Sequence, residues 1–295
     1  MQKVMQEIMS KWINVKGVIR YIMDRRNNDG GYTFCQGTDS SAEDTYYAIE
    51  ILKALNVEPK FKEHTIQFLK GLQNSDGSFD SVKVAYYVTK ALINLGSKPK
   101  KDPNQYIMSL QNSYGGFGSI EVDVETSSEI EATYLSIEIL KLLNSPIESK
   151  EKIIKFILSL KNSDGSFGGR GYSKLASKWH ALATLKLLGY NVFHLHETLK
   201  WVRGCEASNG GFVRNPNSLD NYILIDSIYY GVKSLEIFNE TCKYPFQTAS
   251  LISKFQNRNG GFRKSIFLGI STFENTYYAI FSLQTILKWM NKSEQ

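Results

Sequence analysis

Residues 73–79 read Gln-Asn-Ser-Asp-Gly-Ser-Phe, and close variants of this phrase return along the chain. They are NNDGGY (27–32), QNSYGGF (111–117), KNSDGSF (161–167), EASNGGF (206–212) and QNRNGGF (256–262). The spacing, roughly 38–50 residues, is that of a helical-pair repeat. An Asn-Gly or Asp-Gly pair favours a tight turn, because glycine accepts positive φ at little steric cost. The aromatic just after it is then placed to plug the groove between neighbouring units.

An amphipathic helix precedes each phrase, as in KFKEHTIQFLKGLQ (60–73), ESKEKIIKFILSLK (148–161) and HETLKWVRGC (196–205), with apolar residues on one face and charges opposite. A second, more apolar helix follows each phrase. These are TYYAIEILKAL (45–55), AYYVTKALINL (85–95), ATYLSIEILKLL (132–143), KWHALATLKLL (178–188), IYYGVKSLEIF (228–238) and TYYAIFSLQTI (276–286). Apolar around most of their circumference, they are expected to be buried on nearly all sides. Six buried helices inside six one-faced ones predict an all-α, α6/α6 barrel, an α/α toroid. An open solenoid would need polar caps at both ends, and only the N-terminal segment resembles one. The expected layout is one domain over residues 1–295, with an N-terminal capping helix at 1–19 carrying Val4, Ile8 and Trp12, and repeats over about 20–287.

The bulk numbers agree. The chain has 295 residues, 42% hydrophobic and 22% charged, with 16 Phe and 17 Tyr, ample for a large core. A net charge of +6 is dispersed rather than striped, which argues against nucleic acid as a partner. Charges interrupt the N-terminal apolar pattern, so it reads as neither a signal peptide nor a membrane span. Three cysteines without paired spacing (Cys35, Cys205, Cys242) fit a reduced, cytoplasmic setting.

Aligning the inner helices on Tyr46, Tyr86, Tyr134, Trp179, Tyr229 and Tyr277 exposes a column three residues earlier: Glu43, Lys83, Glu131, Ala176, Asp226 and Glu274. In a toroid these positions meet at one mouth. Ser40, Ser128 and Ser271 stand three residues before Glu43, Glu131 and Glu274, the spacing of a capping box, which would give these acids a structural role. Asp226 has Ile223 in that slot and is the acid least explained by capping. Tyr46, Tyr47, Tyr86, Tyr87, Tyr134, Trp179, Tyr229, Tyr230, Tyr277 and Tyr278 form two adjacent aromatic rows suited to an apolar chain or a carbocation, at about 0.5–2 kcal/mol per cation–π contact. His180 faces the same interior. Seven residues beyond the acids, Glu50, Lys90, Glu138, Ala183, Lys233 and Phe281 form a second column whose charges would either plug the lumen with lateral ion pairs or ring its far rim.

The Q-N-x-D-G-G-F phrase followed by a T-Y-Y-A helix resembles the repeat of the protein prenyltransferase β subunits, whose superfamily includes the squalene and oxidosqualene cyclases. The resemblance runs from about Arg20 to Leu287. It implies an isoprenoid or prenyl diphosphate ligand, and a helical partner subunit or a homo-oligomer. The family's zinc is held by Asp, Cys and His. At the His position stands Asn275, at the Asp-x-Cys positions Leu224 and Asp226, with Asp220 a displaced acid, so the zinc triad is not intact and Asp226 is its one remaining metal-ligand candidate. Magnesium with acidic residues is another way to hold diphosphate, although no D-D-x-x-D motif is present. Arg170 resembles the arginine that follows F-G-x in β subunits, and Lys178, Arg214, Arg263 and Lys264 are further cations near the turns. Proton-initiated cyclases carry D-x-D-D-T, which Ser41-Ala42-Glu43-Asp44-Thr45 resembles in part. That likeness makes Glu43 and Asp44 the catalytic candidates of a class II cyclase, a carboxylate pair in which one acid can stay protonated. The expected site is therefore Glu43, Asp44 and Asp226 as reactive acids, with Tyr46, Tyr47, Glu131, Tyr134, Arg170, Trp179, His180, Tyr229, Glu274, Asn275 and Tyr277 around the substrate. The third alternative is a non-catalytic ring that binds lipid or protein.

Overall fold

The apolar segments fold as α3 (Ala42–Ala54), α5 (Val82–Asn94), α7 (Thr126–Leu142), α9 (Lys174–Leu187), α11 (Ile225–Ile237) and α13 (Phe273–Ser293). The one-faced segments form α2 (Val15–Met23), α4 (Lys62–Gly71), α6 (Asn104–Ser109), α8 (Lys150–Ser159), α10 (His196–Gly204) and α12 (Pro245–Ser253), and α1 (Gln2–Met9) packs on α13. The computed structural model describes residues 2–118, 126–168, 174–216 and 222–293. Each inner helix packs on the next, and α13 packs back on α3, which closes an inner ring of six.

Left-handed residues stop most inner helices. Asn56, Gly96, Asn144, Gly189 and Asn239, all at positive φ, follow α3, α5, α7, α9 and α11. Each lies ten residues after the aligned aromatic of its helix, and Leu287 holds that position in the last repeat. Leucine has no ready access to the left-handed region, so α13 runs on to Ser293. This makes it the longest helix among the described residues, 21 residues and about 31 Å.

The repeated phrase is the joint between outer helices. Its aromatics Tyr32, Phe79, Phe117, Phe167, Phe212 and Phe262 are buried as expected. The backbone N–H of Tyr32, Phe117 and Phe262 donates to the hydroxyls of Thr45, Thr133 and Thr276, each at 3.0 Å, tying the turn to the inner helix that follows. In every turn but that of Gly77, the turn glycine lies against the backbone near the start of the next outer helix. A Cβ on Gly30 would meet His64 O at 2.4 Å, one on Gly165 Glu197 O at 2.4 Å, and one on Gly210 Gln247 C at 2.5 Å. The same contact closes the ring, since a Cβ on Gly260 would stand 2.1 Å from Gly17 O. Gln256 reinforces it from both ends: its Oε1 accepts from Asn14 N at 2.8 Å and its Nε2 donates to Asn14 O at 3.1 Å. Tyr21 Oη donates to Ser271 O at 2.9 Å, and Gln284 Nε2 to Ala54 O at 3.1 Å, across the same seam.

The expected capping helix over 1–19 is corrected by this geometry. The chain breaks between Met9 and Val15, where the Asn14 side chain caps α2 by accepting from Gly17 N. Only α1 lies outside the ring, and α2 is the outer helix of the first repeat, recruited by the closing turn. Among the described residues no helix is long and apolar enough to cross a membrane.

If the glycine contact closes the ring, Gly260→Ala should lower the unfolding free energy by about 2–5 kcal/mol, combining backbone strain with overpacking. Gly37 also has positive φ but has open space around it, so Gly37→Ala should cost only about 1–2 kcal/mol. Chemical denaturation of the two variants checks this, and equal losses would contradict it.

Candidate functional site

The starts of α3, α5 and α13 and the second turn of α7 carry Glu43, Lys83, Glu274 and Glu131 to one mouth, above a cavity of about 370 Å³ along the ring axis. Its wall is aromatic. Ring centroids run from Tyr46 to Tyr86 (5.5 Å), Tyr134 (6.3 Å), Trp179 (4.9 Å), Tyr229 (5.9 Å) and Tyr277 (5.5 Å), then back to Tyr46 (6.1 Å). This closed belt has one aromatic from each inner helix. Tyr47, Tyr87, His180, Tyr230 and Tyr278 form a second, interrupted row, with Leu135 at the remaining position. Neighbouring hydroxyls pair, Tyr46 with Tyr86 at 3.3 Å, Tyr229 with Tyr277 at 3.3 Å and Tyr230 with Tyr278 at 3.1 Å. Burial raises the pKa of these phenols, so they remain neutral. It pushes the imidazole of His180 down to about 4, so that histidine is neutral too. The lumen is therefore neither an empty tunnel nor a solid plug.

The caps lie one residue later than the serine spacing suggests. Ser41 accepts from Asp44 N, and the Thr272 hydroxyl accepts from Asn275 N at 3.0 Å. Ser40 instead bonds Asp29 and Asn27, and Ser271 bonds Asn257 and Asn259, holding each turn to the strand of chain that leaves it. The backbone of α7 begins at Thr126, which puts Ser128 inside the helix rather than before it. The carboxylates are thereby released from capping. Glu43 accepts from Tyr87 Oη at 3.1 Å, Glu274 from Tyr278 Oη at 2.9 Å, and Glu131 pairs with Lys83 at 3.0 Å. Burial raises the pKa of Glu274, with Glu43 and Asp226 adding to it and the Tyr278 hydrogen bond opposing it.

Asp44 separates from its neighbour. Successive helix positions differ by about 100°, and Asp44 turns outward to accept from Phe34 N at 3.3 Å. Glu43 lines the lumen and Asp44 does not, so a joint proton-donating pair is not formed. Burial lifts the Asp44 carboxyl to about 6 against the Phe34 hydrogen bond, with a smaller push from Glu43. Asp226 sits at the rim outside the cavity wall, 3.7 Å from Lys264. Asn275 is buried but likewise does not line the cavity. Glu43, Tyr46, Tyr47, Glu131, Tyr134, Trp179, His180, Tyr229, Glu274 and Tyr277 do come together around it. Arg170 and Asp220, and the side chain of Ser128, lie outside the described residues.

The expected site leaves out Tyr86, Tyr87, Tyr230, Tyr278 and Lys83, which line the cavity from columns already visible in the sequence. At the far end of the lumen Lys90 pairs with Glu138 at 2.8 Å, one of the lateral ion pairs the second column suggested, while Glu50 is held by the Asn94 amide. Lys178 is no mouth cation. It is fully buried, with Nζ 2.8 Å from the Trp201 ring centroid. Arg263 spends its guanidinium on Asn257 and on the Lys254 and Ile266 carbonyls.

Among the described residues the Cys and His donors are scattered. Cys205 and Cys242 are buried thiols pushed up to about 12 by burial, Cys35 is exposed and lines the groove formed by Arg25 and Ile270, and His194 bonds Asn191. Among the described residues no three His, Cys, Asp or Glu side chains stand together as a metal site.

A carboxyl raised from 3.8 to about 6 takes up a proton on folding over that interval, so its contribution to stability is full below the lower value and lost as pH rises through the upper one. The buried His180 pulls the other way over the same range, so the sign is read from the difference: the stability of the native chain relative to Asp44→Asn should fall from pH 4 to 7. Denaturant melts across that range check the difference, and parallel curves would contradict it.

The prenyltransferase alpha-alpha toroid domain model matches residues 2–84, 80–219 and 220–294. No curated protein sequence matches the chain significantly. Among solved structures, Candida albicans protein geranylgeranyltransferase-I complexed with GGPP superposes with a TM-score of 0.67 at 15% identity, over 95% of this chain and 92% of that one. A type II terpene cyclase from Scytonema in complex with geranylgeranyl dihydroxybenzoate gives 0.62 at 9% identity, over 96% and 97%. A protein from Actinoplanes gives 0.58 at 12%, over 93% and 97%. At these identities the structural likeness is one of fold. With a family model that spans nearly the whole length, the chain belongs to the prenyltransferase alpha-alpha toroid domain family.

Proposed function

We propose that this toroid binds an isoprenoid chain in its aromatic lumen. The observation that carries the reading is the unbroken belt from Tyr46 through Tyr277 around a cavity of about 370 Å³. That size lies toward the lower end of the usual range for ligand pockets, about 300–1,000 Å³. Ring faces offer an isoprenoid dispersion contact along its length and would stabilise positive charge developing on it. Two neighbours with bound ligands carry a geranylgeranyl group, in GGPP and in geranylgeranyl dihydroxybenzoate, which makes a twenty-carbon prenyl chain the first one to test. Prenyl transfer through the family zinc finds no support in Asn275, Leu224 or the buried cysteines.

Titration with geranylgeraniol should quench Trp179, which stands in the belt. Leu135→Trp, which fills the lumen beside Tyr134, should weaken that binding at least tenfold. Unchanged affinity in this variant, provided its thermal melt is preserved, would remove the lumen as the site.

A second reading, proton-initiated cyclisation, is favoured by one observation. Glu274 is a half-buried carboxyl lining the lumen, hydrogen-bonded to Tyr278 and near Glu43 and Asp226. A carboxyl so placed stays protonated to higher pH, and it would deliver that proton from Glu274 Oε to the terminal alkene carbon of a polyprene. On this reading Glu274→Gln abolishes metal-independent polyprene conversion, whereas Asp44→Asn, facing outward, retains it. Turnover surviving in Glu274→Gln would end the cyclase reading.

A further inference from the structure

The opposite end of the ring holds a larger cavity, about 960 Å³, that the repeat pattern did not announce. Its walls come from the end of α3 (Lys53, Ala54), the end of α11 (Glu236, Asn239), Met5 of α1 and the tail of α13 (Gln284, Lys288, Trp289, Lys292). Glu50 and Phe281 line this cavity and the aromatic lumen alike, so the two meet at these side chains.

Charge divides the two ends. The mouth gathers Glu43, Glu131, Asp226 and Glu274 against Lys83 and Lys264. The far end gathers Lys53, Lys288 and Lys292, while its Glu236 is occupied by Lys233 at 2.7 Å and Glu50 by Asn94. Among the described residues neither Lys288 nor Lys292 forms an ion pair. They are four residues apart, hence on one face of α13. The same face carries Tyr277, Phe281 and Gln284, so a single helix runs from aromatic lumen to cationic rim. From Phe281 to Lys292 that face spans roughly 16 Å. The rim exists only because Leu287 stands where Asn or Gly stops the other inner helices.

We infer that the far-end cavity is a binding site for an anionic amphiphile, its phosphate or carboxylate head held by Lys288 and Lys292 and its apolar chain passing Phe281 toward the aromatic belt. An anionic head at the carboxylate mouth would face repulsion in a partly desolvated setting, whereas at the far end it meets unpaired ammonium groups. Trp289 and Met5 cover the start of the chain with apolar surface. The course of the chain rests on the lumen as an isoprenoid site, and the lysine-held head does not.

Calorimetric titration of the full chain with geranylgeranyl diphosphate, geranylgeraniol and dodecyl phosphate tests it. Lys288→Glu with Lys292→Glu should weaken both phosphates at least tenfold and leave the alcohol within about twofold. The paired alanine variant should give an intermediate loss, and Lys264→Glu at the mouth no loss. Trp289→Phe should remove most of the fluorescence response to dodecyl phosphate. Phosphate binding that ignores Lys288 and Lys292, or that depends on Lys264 instead, would overturn the assignment. If both prenyl compounds fail to bind while dodecyl phosphate still depends on the two lysines, the lumen reading falls and the far-end site stands. If dodecyl phosphate fails as well, both fall.

Discussion

A glycine pressed against a neighbouring backbone sets this architecture. At Gly30, Gly165, Gly210 and Gly260 the turn comes so close to the next outer helix that any Cβ would collide with main-chain atoms. Positive φ makes the turn and the missing side chain makes the contact. Repetition of that step with a constant sense of rotation brings the sixth turn onto α2, and Gln256 locks the seam by satisfying both backbone groups of Asn14. Ring closure then removes the two exposed ends that an open stack would have to cap.

Closure is also what makes a site. On an open superhelix the aligned tyrosines would be a stripe. In a ring they become a belt, each aromatic packed on two neighbours, with hydroxyls paired and carboxylates at the rim. The acids differ in what their surroundings do to them. Glu274 is half-buried and hydrogen-bonded, Glu131 is neutralised by Lys83, and Asp226 leans toward Lys264 outside the wall. The arrangement favours an apolar or cationic guest in the lumen, and it leaves the cations for the opposite end.

Much of this was legible in the residues. Six Gly-aromatic phrases, two kinds of helix and a column of acids were enough to expect a toroid with an acidic mouth. What escaped had local causes. A shift of one residue in the cap, from Ser40 to Ser41 and from Ser271 to Thr272, separates a capping role for Glu43 and Glu274 from a lumen-facing one. The same rotation sends Asp44 outward, although Glu43-Asp44-Thr45 resembles a cyclase motif. Asn14 divides the N-terminal segment because its capping of α2 pairs with the closing turn, a contact more than two hundred residues away in sequence. The far-end cavity is completed by α1 and the tail of α13, elements that no other repeat possesses and no alignment of repeats can display.

The closed ring is the claim on which the belt, the mouth and the far-end cavity all depend. A pulsed electron paramagnetic resonance distance across the seam reads it directly, with spin labels on the exposed Lys16 and Arg258 and Cys35 changed to serine so that only the buried native thiols remain. A closed ring predicts one narrow distribution well short of about 30 Å, the span of a small domain. A broad distribution extending beyond that length would mean that the last turn does not dock on α2.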